Sequence, residues 1–310
     1  MPTRGLLIRD DPPGDTNLLI KLACRVEAAG LDSVWVGDSL TAKPRLEPLA
    51  TLAAVATHTD SVRLGTAVLL AALRHPVLLA QTMATVDLIS KGRLVIGAGV
   101  GGAFNDDQKR EWQAAGVVAG QRARRFEEII QIVHGLGSGK PLSFSGRHFN
   151  LDQVSMEPLP VQPGGIPILL ASHWRAQQEA QMARAARLGS GLISISDSPE
   201  EYARLVQRVR EMIAGLGRDP AQFETAFYMT VNVNQNSAKA ETEANEYLTR
   251  YYGKNIWGTR WGPFGEPQRV KERMAEYVEA GAQTLVVRFA SFHPEQQLER
   301  FLEEVAPVFS

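Results

Sequence analysis

Eight short runs rich in valine, isoleucine and leucine recur along the chain, at 5–8, 33–36, 63–69, 94–100, 167–170, 191–195, 226–233 and 284–289, and each predicts a strand. Most are apolar at successive positions, which a sheet with one wet face does not allow, so both faces are expected to be covered. Stretches of helical period separate them. Leu19, Leu22, Val26 and Ala29 follow a three-four spacing that stops at Gly30, a residue suited to the left-handed turn after a helix. Ser198, Pro199 and Glu201 predict a capping box with proline in the first turn, and Tyr202, Leu205, Val206, Val209, Met212 and Ile213 mark the buried face behind it. Phe126, Ile129, Ile130 and Val133 draw a similar stripe, as do Leu298, Phe301, Leu302 and Val305. Strands alternating with helices, without a linker or a break in composition, predict one α/β domain over 1–310, an eight-stranded (β/α) TIM barrel.

Two segments exceed the minimal repeat. Residues 137–165 hold apolar runs at 142–144 and 148–151 around Ser145 and Gly146, which predicts a hairpin inserted between the fourth helix and the fifth strand and covering the barrel. Between the seventh and eighth strands, helical patterns at 238–251 and 267–280 predict an extra helix and loop. The helix entering the last strand must start at the catalytic end, so the loop 253–266, with Trp257, Trp261 and Phe264, passes near the mouth. A lid or substrate wall and simple packing against the barrel both fit it.

Composition narrows the classes of partner. The chain has 44% hydrophobic and 22% charged residues, and 33 basic residues against 34 acidic ones leave a formal charge of -1, so it lacks the basic surface that nucleic acid or an anionic membrane requires. A small-molecule substrate is the expectation. The single cysteine, Cys24, lies among apolar helical residues and reads as a buried core thiol, and no metal-ligand spacing is present. The apolar stretch around 66–73 falls far short of the ~20 residues that cross a bilayer. Arg9, Asp10 and Asp11 follow a short apolar run, which does not fit a secretory signal, so a cytoplasmic protein is expected.

In α/β barrels the reacting groups lie on the loops that follow the strands. That filter retains Asp38 and Ser39, Arg74 and His75, the segment 99–107, the segment 172–175 and the segment 196–198. Asp38 ends an apolar strand, where an ionised carboxylate needs a partner, and it is the leading candidate for a ligand or proton-transfer contact. His75 precedes Pro76, so a helix cap competes with contact to a ring. Gly97, Gly99, Gly101 and Gly102 allow a flat ring or phosphate close to the backbone, and tight packing explains them nearly as well. Ser172, His173 and Arg175 fall where a helix is expected to begin, and free amides there with a hydroxyl and a guanidinium suit a phosphate. No serine or cysteine stands in a nucleophile elbow, which sets hydrolase readings back.

Read together, AAGLDSVWVGDS (28–39), EPLATLAAVA (47–56), VRLGTAVLL (62–70), RHPVLLAQ (74–81), DLISKGRLVIGAGVGG (87–102), EPLPVQP (157–163) and the closing unit 265–289 resemble the bacterial luciferase-like monooxygenase family, in family order over nearly the whole chain. The resemblance implies a barrel that binds FMN, or the deazaflavin coenzyme F-420, across its mouth, often as a homodimer. It implies a phosphate held by Gly101, Gly102, Ser172 and His173, and a non-proline cis peptide at Ala67-Val68 that seats the ring. By the same resemblance Asp38, Ser39, Gly99, Ala171 and Arg175 line the coenzyme site. There are departures. The luciferase branch has two histidines at Asp38-Ser39 and an arginine at Val100, which argues against light emission. Many deazaflavin-using relatives have Asp-His where this chain has Asp38-Ser39, so the usual general acid or base is missing and His173 is the substitute. The sequence Ala171-Ser172-His173-Trp174 replaces the glycine pair often found after the fifth strand.

The expectation is a flavin-dependent oxidoreductase of this family with FMN first, acting as a monooxygenase that shields its oxygenated ring from water. F-420, which passes only a hydride, is the alternative, with a separate flavin or deazaflavin reductase as a partner. Asp38, His75 and His173 are the catalytic candidates. A flavin-binding protein without turnover and an unrelated sugar-phosphate isomerase or lyase on the same fold are the rivals.

Overall fold

Strands that are wet on neither face must pair on both edges and be covered by helices, and this chain does both. A computed structural model describes residues 3–7, 16–253 and 260–309. Its strands, in chain order, are β1 (Thr3–Leu7), β2 (Ser33–Val36), β3 (Arg63–Leu69), β4 (Leu94–Ala98), β5 (Leu142–Ser145), β6 (Asn150–Val154), β7 (Ile168–Ala171), β8 (Gly191–Ile195), β9 (Glu224–Val233), β10 (Phe264–Gly265) and β11 (Thr284–Phe289). The helices are α1 (Thr16–Ala28), α2 (Pro48–Ala56), α3 (Pro76–Ile89), α4 (Asp106–Ala114), α5 (Arg122–Gly137), α6 (Glu179–Leu188), α7 (Pro199–Gly215), α8 (Ser237–Tyr252), α9 (Pro267–Glu279) and α10 (Pro294–Glu304).

Eight strands close in the order β11-β1-β2-β3-β4-β7-β8-β9, with β9 paired back to β11 and every pairing parallel. The expected TIM barrel is therefore present, and β5 and β6 form the expected antiparallel hairpin. The hairpin lies along the flank: Glu128 of α5 accepts from the amides of Arg147 and His148, so it covers helix rather than mouth. Short β10 pairs in parallel beside the end of β9. The predicted capping box is complete, with Ser198 accepting from Glu201 N and Glu201 accepting from Ser198 N, an arrangement worth about 1 kcal/mol.

The lumen is filled by Trp35, Ala67, Val95, Leu169, Ile193, Ala226, Tyr228 and Val286. Trp35 is fully buried and its indole N–H donates to Ser33 Oγ at 2.9 Å. Glycines on both neighbouring strands make room for it: a Cβ at Gly5 would stand 2.3 Å from Trp35 Nε1, and one at Gly65 would stand 2.2 Å from Trp35 Cε3. Alternate residues along each strand share a face, so the position of Trp35 fixes which side chains enter the bore.

Helix α4, capped by Asn105, buries only Glu111 and Trp112, too few to draw an apolar stripe. Two expectations are corrected. Only a single 3-10 turn, Trp174–Ala176, follows Ser172; left-handed Gln177 (φ 48°) ends it, and the α-helix starts at Glu179. Cys24 is partly exposed, with its thiol donating to the His58 carbonyl. Ile8 and Trp257 lie outside the described residues.

Candidate active site at the carboxyl rim of the barrel

The first rim element is the loop after β2. Asp38 lies two residues past β2 with a side chain only 1% exposed. Its carboxylate takes a two-pronged ion pair from Arg74, at 2.6 and 3.1 Å, and accepts from Leu70 N at 2.8 Å. The buried charge is thus satisfied inside the protein, and its effect is to tie the loop after β3 to β2. Ser39 is also consumed: its hydroxyl donates to Glu111 Oε1 at 2.7 Å. The same oxygen accepts from the amides of Leu40, Thr41 and Ala42. Burial works to raise the Glu111 carboxyl, but these donors outweigh it and hold its pKa below the usual range.

The second element runs from the end of β3 to α4. The Ala67-Val68 peptide is cis, in a stretch where β3 slips by one residue against β4. Val68, Ala171 and Ile195 stand partly exposed above the lumen residues and form an apolar floor. Gly99 is required by that floor, since a Cβ there would lie 2.8 Å from Val68 Cγ2. Gly101 has φ 77°, and a Cβ there would meet Trp112; one on Gly102 would meet Phe104. The carbonyls of Gly101 and Gly102 are taken by Arg122 Nε and Trp112 Nε1. The four amides of residues 100–103 find no acceptor among the described residues. A run of free amides over an apolar floor suits a flat ring with an anionic tail, so the residues present fit a flavin-type coenzyme.

The third element follows β7 and β8. Ser172 is buried and donates to the Gln181 carbonyl. The amides of Trp174 and Arg175 donate to Asp197, so the anion held at this turn is the protein's own carboxylate and not a free phosphate position. The Arg175 side chain is exposed. His173 is the expected residue that enters a chemical network: Nδ1 lies 3.2 Å from Ser194 Oγ, which donates to Asp197 Oδ2 at 2.7 Å. Burial drives the His173 pKa below its usual range, with Asp197 opposing. His75 does not join. It caps α3 without a side-chain hydrogen bond, and its exposed ring packs edge-on against Phe149, 5.7 Å away, on the hairpin side.

Sequence reasoning missed the fourth element. Arg288 of β11 is 2% exposed and follows the lumen residue Val286 by two positions. Arg45 reaches over Gly37 and donates to Tyr251 Oη at 2.6 Å. A charged residue inside TLVVRF was the visible signal. The loop that fits either a wall or simple packing supplies Trp261, buried, with its ring centroid 4.6 Å from the Arg288 guanidinium carbon. Beyond it a cavity of about 600 Å³ is lined by Asp197, Arg260, Trp261 and Tyr277.

The sequence profile of the luciferase-like monooxygenase family matches residues 8–260. The F-420-dependent glucose-6-phosphate dehydrogenase of Amycolatopsis mediterranei is 28% identical, the match covering 93% of each chain. The 5,10-methylenetetrahydromethanopterin reductase of Methanopyrus kandleri is 24% identical, over 98% of this chain and 97% of its own. Among solved structures, a monooxygenase from Streptomyces bottropensis superimposes with a TM-score of 0.83 at 21% identity, over 99% of this chain and 100% of its own. An F-420-dependent secondary alcohol dehydrogenase, bound to an F-420-acetone adduct, gives 0.82 at 19% identity over 99% of both. These two likenesses speak for the fold alone. No helix among the described residues is long and apolar enough to cross a membrane.

Proposed function

From the premise that this chain belongs to the luciferase-like monooxygenase family, whose members named above are oxidoreductases, we propose that it is an F-420-dependent oxidoreductase that moves a hydride to or from a small organic substrate at the barrel mouth. This reverses the order of the sequence expectation, which put reduced FMN first. The observation that carries it is the full-length match to relatives named for F-420, at 28% identity over 93% of the chain. A homodimer and a separate enzyme that supplies the reduced coenzyme belong to the same proposal.

When bound, the coenzyme supplies a ring carbon that gives or takes a hydride. The chain supplies the rest. The amides of 100–103 hold the anionic tail, and Val68, Ala171 and Ile195 support the ring and keep water from one face. Asp38 is a positioning residue that fixes the loop after β3 through Arg74 and Leu70. His173 moves the substrate proton. Its Nδ1 stands 3.2 Å from Ser194 Oγ, whose hydrogen goes to Asp197, and 3.4 Å from the Ile195 amide, which donates to it. A half-buried imidazole with a lowered pKa is neutral near pH 7, ready to take a hydroxyl proton as an alcohol becomes a carbonyl, and Asp197 then steadies the cation through Ser194.

The test is anaerobic titration of the purified protein with reduced F-420 and with reduced FMN, followed by admission of air. At least about tenfold tighter F-420 binding, without oxygen uptake, is expected. Tighter FMN binding with substrate-dependent oxygen consumption overturns the proposal in favour of a monooxygenase.

A further inference from the structure

Arg288 is buried in a way that folding does not explain. Its guanidinium carbon lies 4.6 Å from the ring centroid of Trp261, 5.4 Å from that of Tyr228 and 5.6 Å from that of Tyr252. Nη1 donates to Tyr252 Oη at 2.8 Å. Nε and Nη2 are buried and meet no acceptor, and Arg288 enters none of the described ion pairs. An unpaired charge in such a place is strongly unfavourable, and an apolar residue of similar volume would remove the penalty. The two orphan donors are also the right two. Nε–H and the neighbouring Nη2–H form one edge of the guanidinium, the fork that meets a carboxylate or phosphate side-on through two parallel hydrogen bonds.

Arg45 adds a second cation on the same arc of the rim. It donates from Nε to Tyr251 and from Nη1 to the Asp38 carbonyl at 3.1 Å, and none of the described bonds uses its Nη2. The rings of Tyr251 and Tyr252 stand 4.5 Å apart and join the two arginines. In the strand order β11-β1-β2-β3-β4, β11 stands four places from β4 in a ring of eight, so Arg288 faces the free amides of 100–103 across the bore.

We propose that Arg288, assisted by Arg45, binds an oxyanion of the substrate, a carboxylate or a phosphate group, on the side of the mouth opposite the amides that hold the coenzyme. The inference deepens the proposed function and rests on its reading of the mouth as the site of coenzyme and substrate.

It is tested by calorimetric titration of the full-length protein with inorganic phosphate and, separately, with benzoate, in chloride buffer at constant ionic strength. At least one of the two is expected to bind. Arg288→Gln weakens that binding at least about tenfold, and Arg288→Lys, which keeps the charge and loses the fork, does not restore it. The tighter of the two anions assigns the oxyanion as phosphate or carboxylate. Failure of both anions to bind the wild-type protein overturns the inference, and so does wild-type affinity in Arg288→Gln. Should that variant fail to fold, Arg45→Gln must lose at least about threefold in anion affinity, and an unchanged value overturns it equally. A parallel titration with F-420 separates the two readings. Loss of anion binding with intact coenzyme binding is the expected behaviour of the Arg288 variants, whereas a wild-type protein that binds anion and neither coenzyme refutes the function and not the anion site.

Discussion

The bore of the barrel carries an arginine near each end, and the two are treated in opposite ways. At the amino end, Arg63 reaches Glu224 with both Nη groups at 3.0 Å, and Glu224 also accepts from Thr284 Oγ1 at 2.7 Å. At the carboxyl end, Arg288 has aromatic rings on its faces and an unused edge. Thr284 and Arg288 lie on one strand and one face, roughly 13 Å apart. A charge kept for folding comes with its counter-charge in the same chain, and a charge kept for a ligand comes without one.

Exchanging each arginine for methionine sharpens the contrast most. Arg288→Met is expected to lower kcat/KM about hundredfold, roughly 3 kcal/mol of transition-state binding, while leaving stability unchanged or raising it by about 1 kcal/mol. Arg63→Met is expected to do the reverse, costing about 2 kcal/mol in a denaturant titration because Glu224 loses its partner, with turnover within about twofold of wild type. If both variants lose stability alike, the two ends are not different in kind. Next in size, Gly65→Ala forces a methyl into Trp35 and is expected to cost about 2 kcal/mol with little effect on coenzyme affinity, since the strain stays at the amino end. The smallest effect is on pH dependence. Folding holds the His173 pKa below its ordinary 6.5, so the unfolded chain binds a proton that the folded chain refuses. Stability is therefore expected to fall as the pH drops below about 6.5 and to be level above it. His173→Gln should shallow that acid slope. A slope identical to wild type would take His173 out of the buried network.

Patterning made the scaffold legible and chemistry only in part. Strands buried on both faces announce themselves as apolar runs, and the cap at Ser198 to Glu201 is written in four consecutive residues. Helix α4 is nearly all polar, so nothing periodic marks it, yet its Glu111 organises the loop after β2. Asp38 illustrates a second limit. Its place at a strand end is visible in the sequence, but its partner Arg74 lies 36 residues on, and only the fold decides that the pair closes on itself. Ser172 and Arg175 failed for a related reason, because Asp197, from the next strand's loop, fills the amide turn they were expected to offer a phosphate. His173, by contrast, lies beside Ser194 of β8, a contact that only the fold makes. Arg288 was written plainly within an apolar strand, and the pattern that identifies the strand is the one that makes the exception easy to pass over.

Trp35, held between two glycines, gives the barrel a floor. Among the described residues the bore is closed at that level like a cup, so the coenzyme and substrate proposed for the rim would share its open side, and the one seated deeper is expected to enter first and leave last.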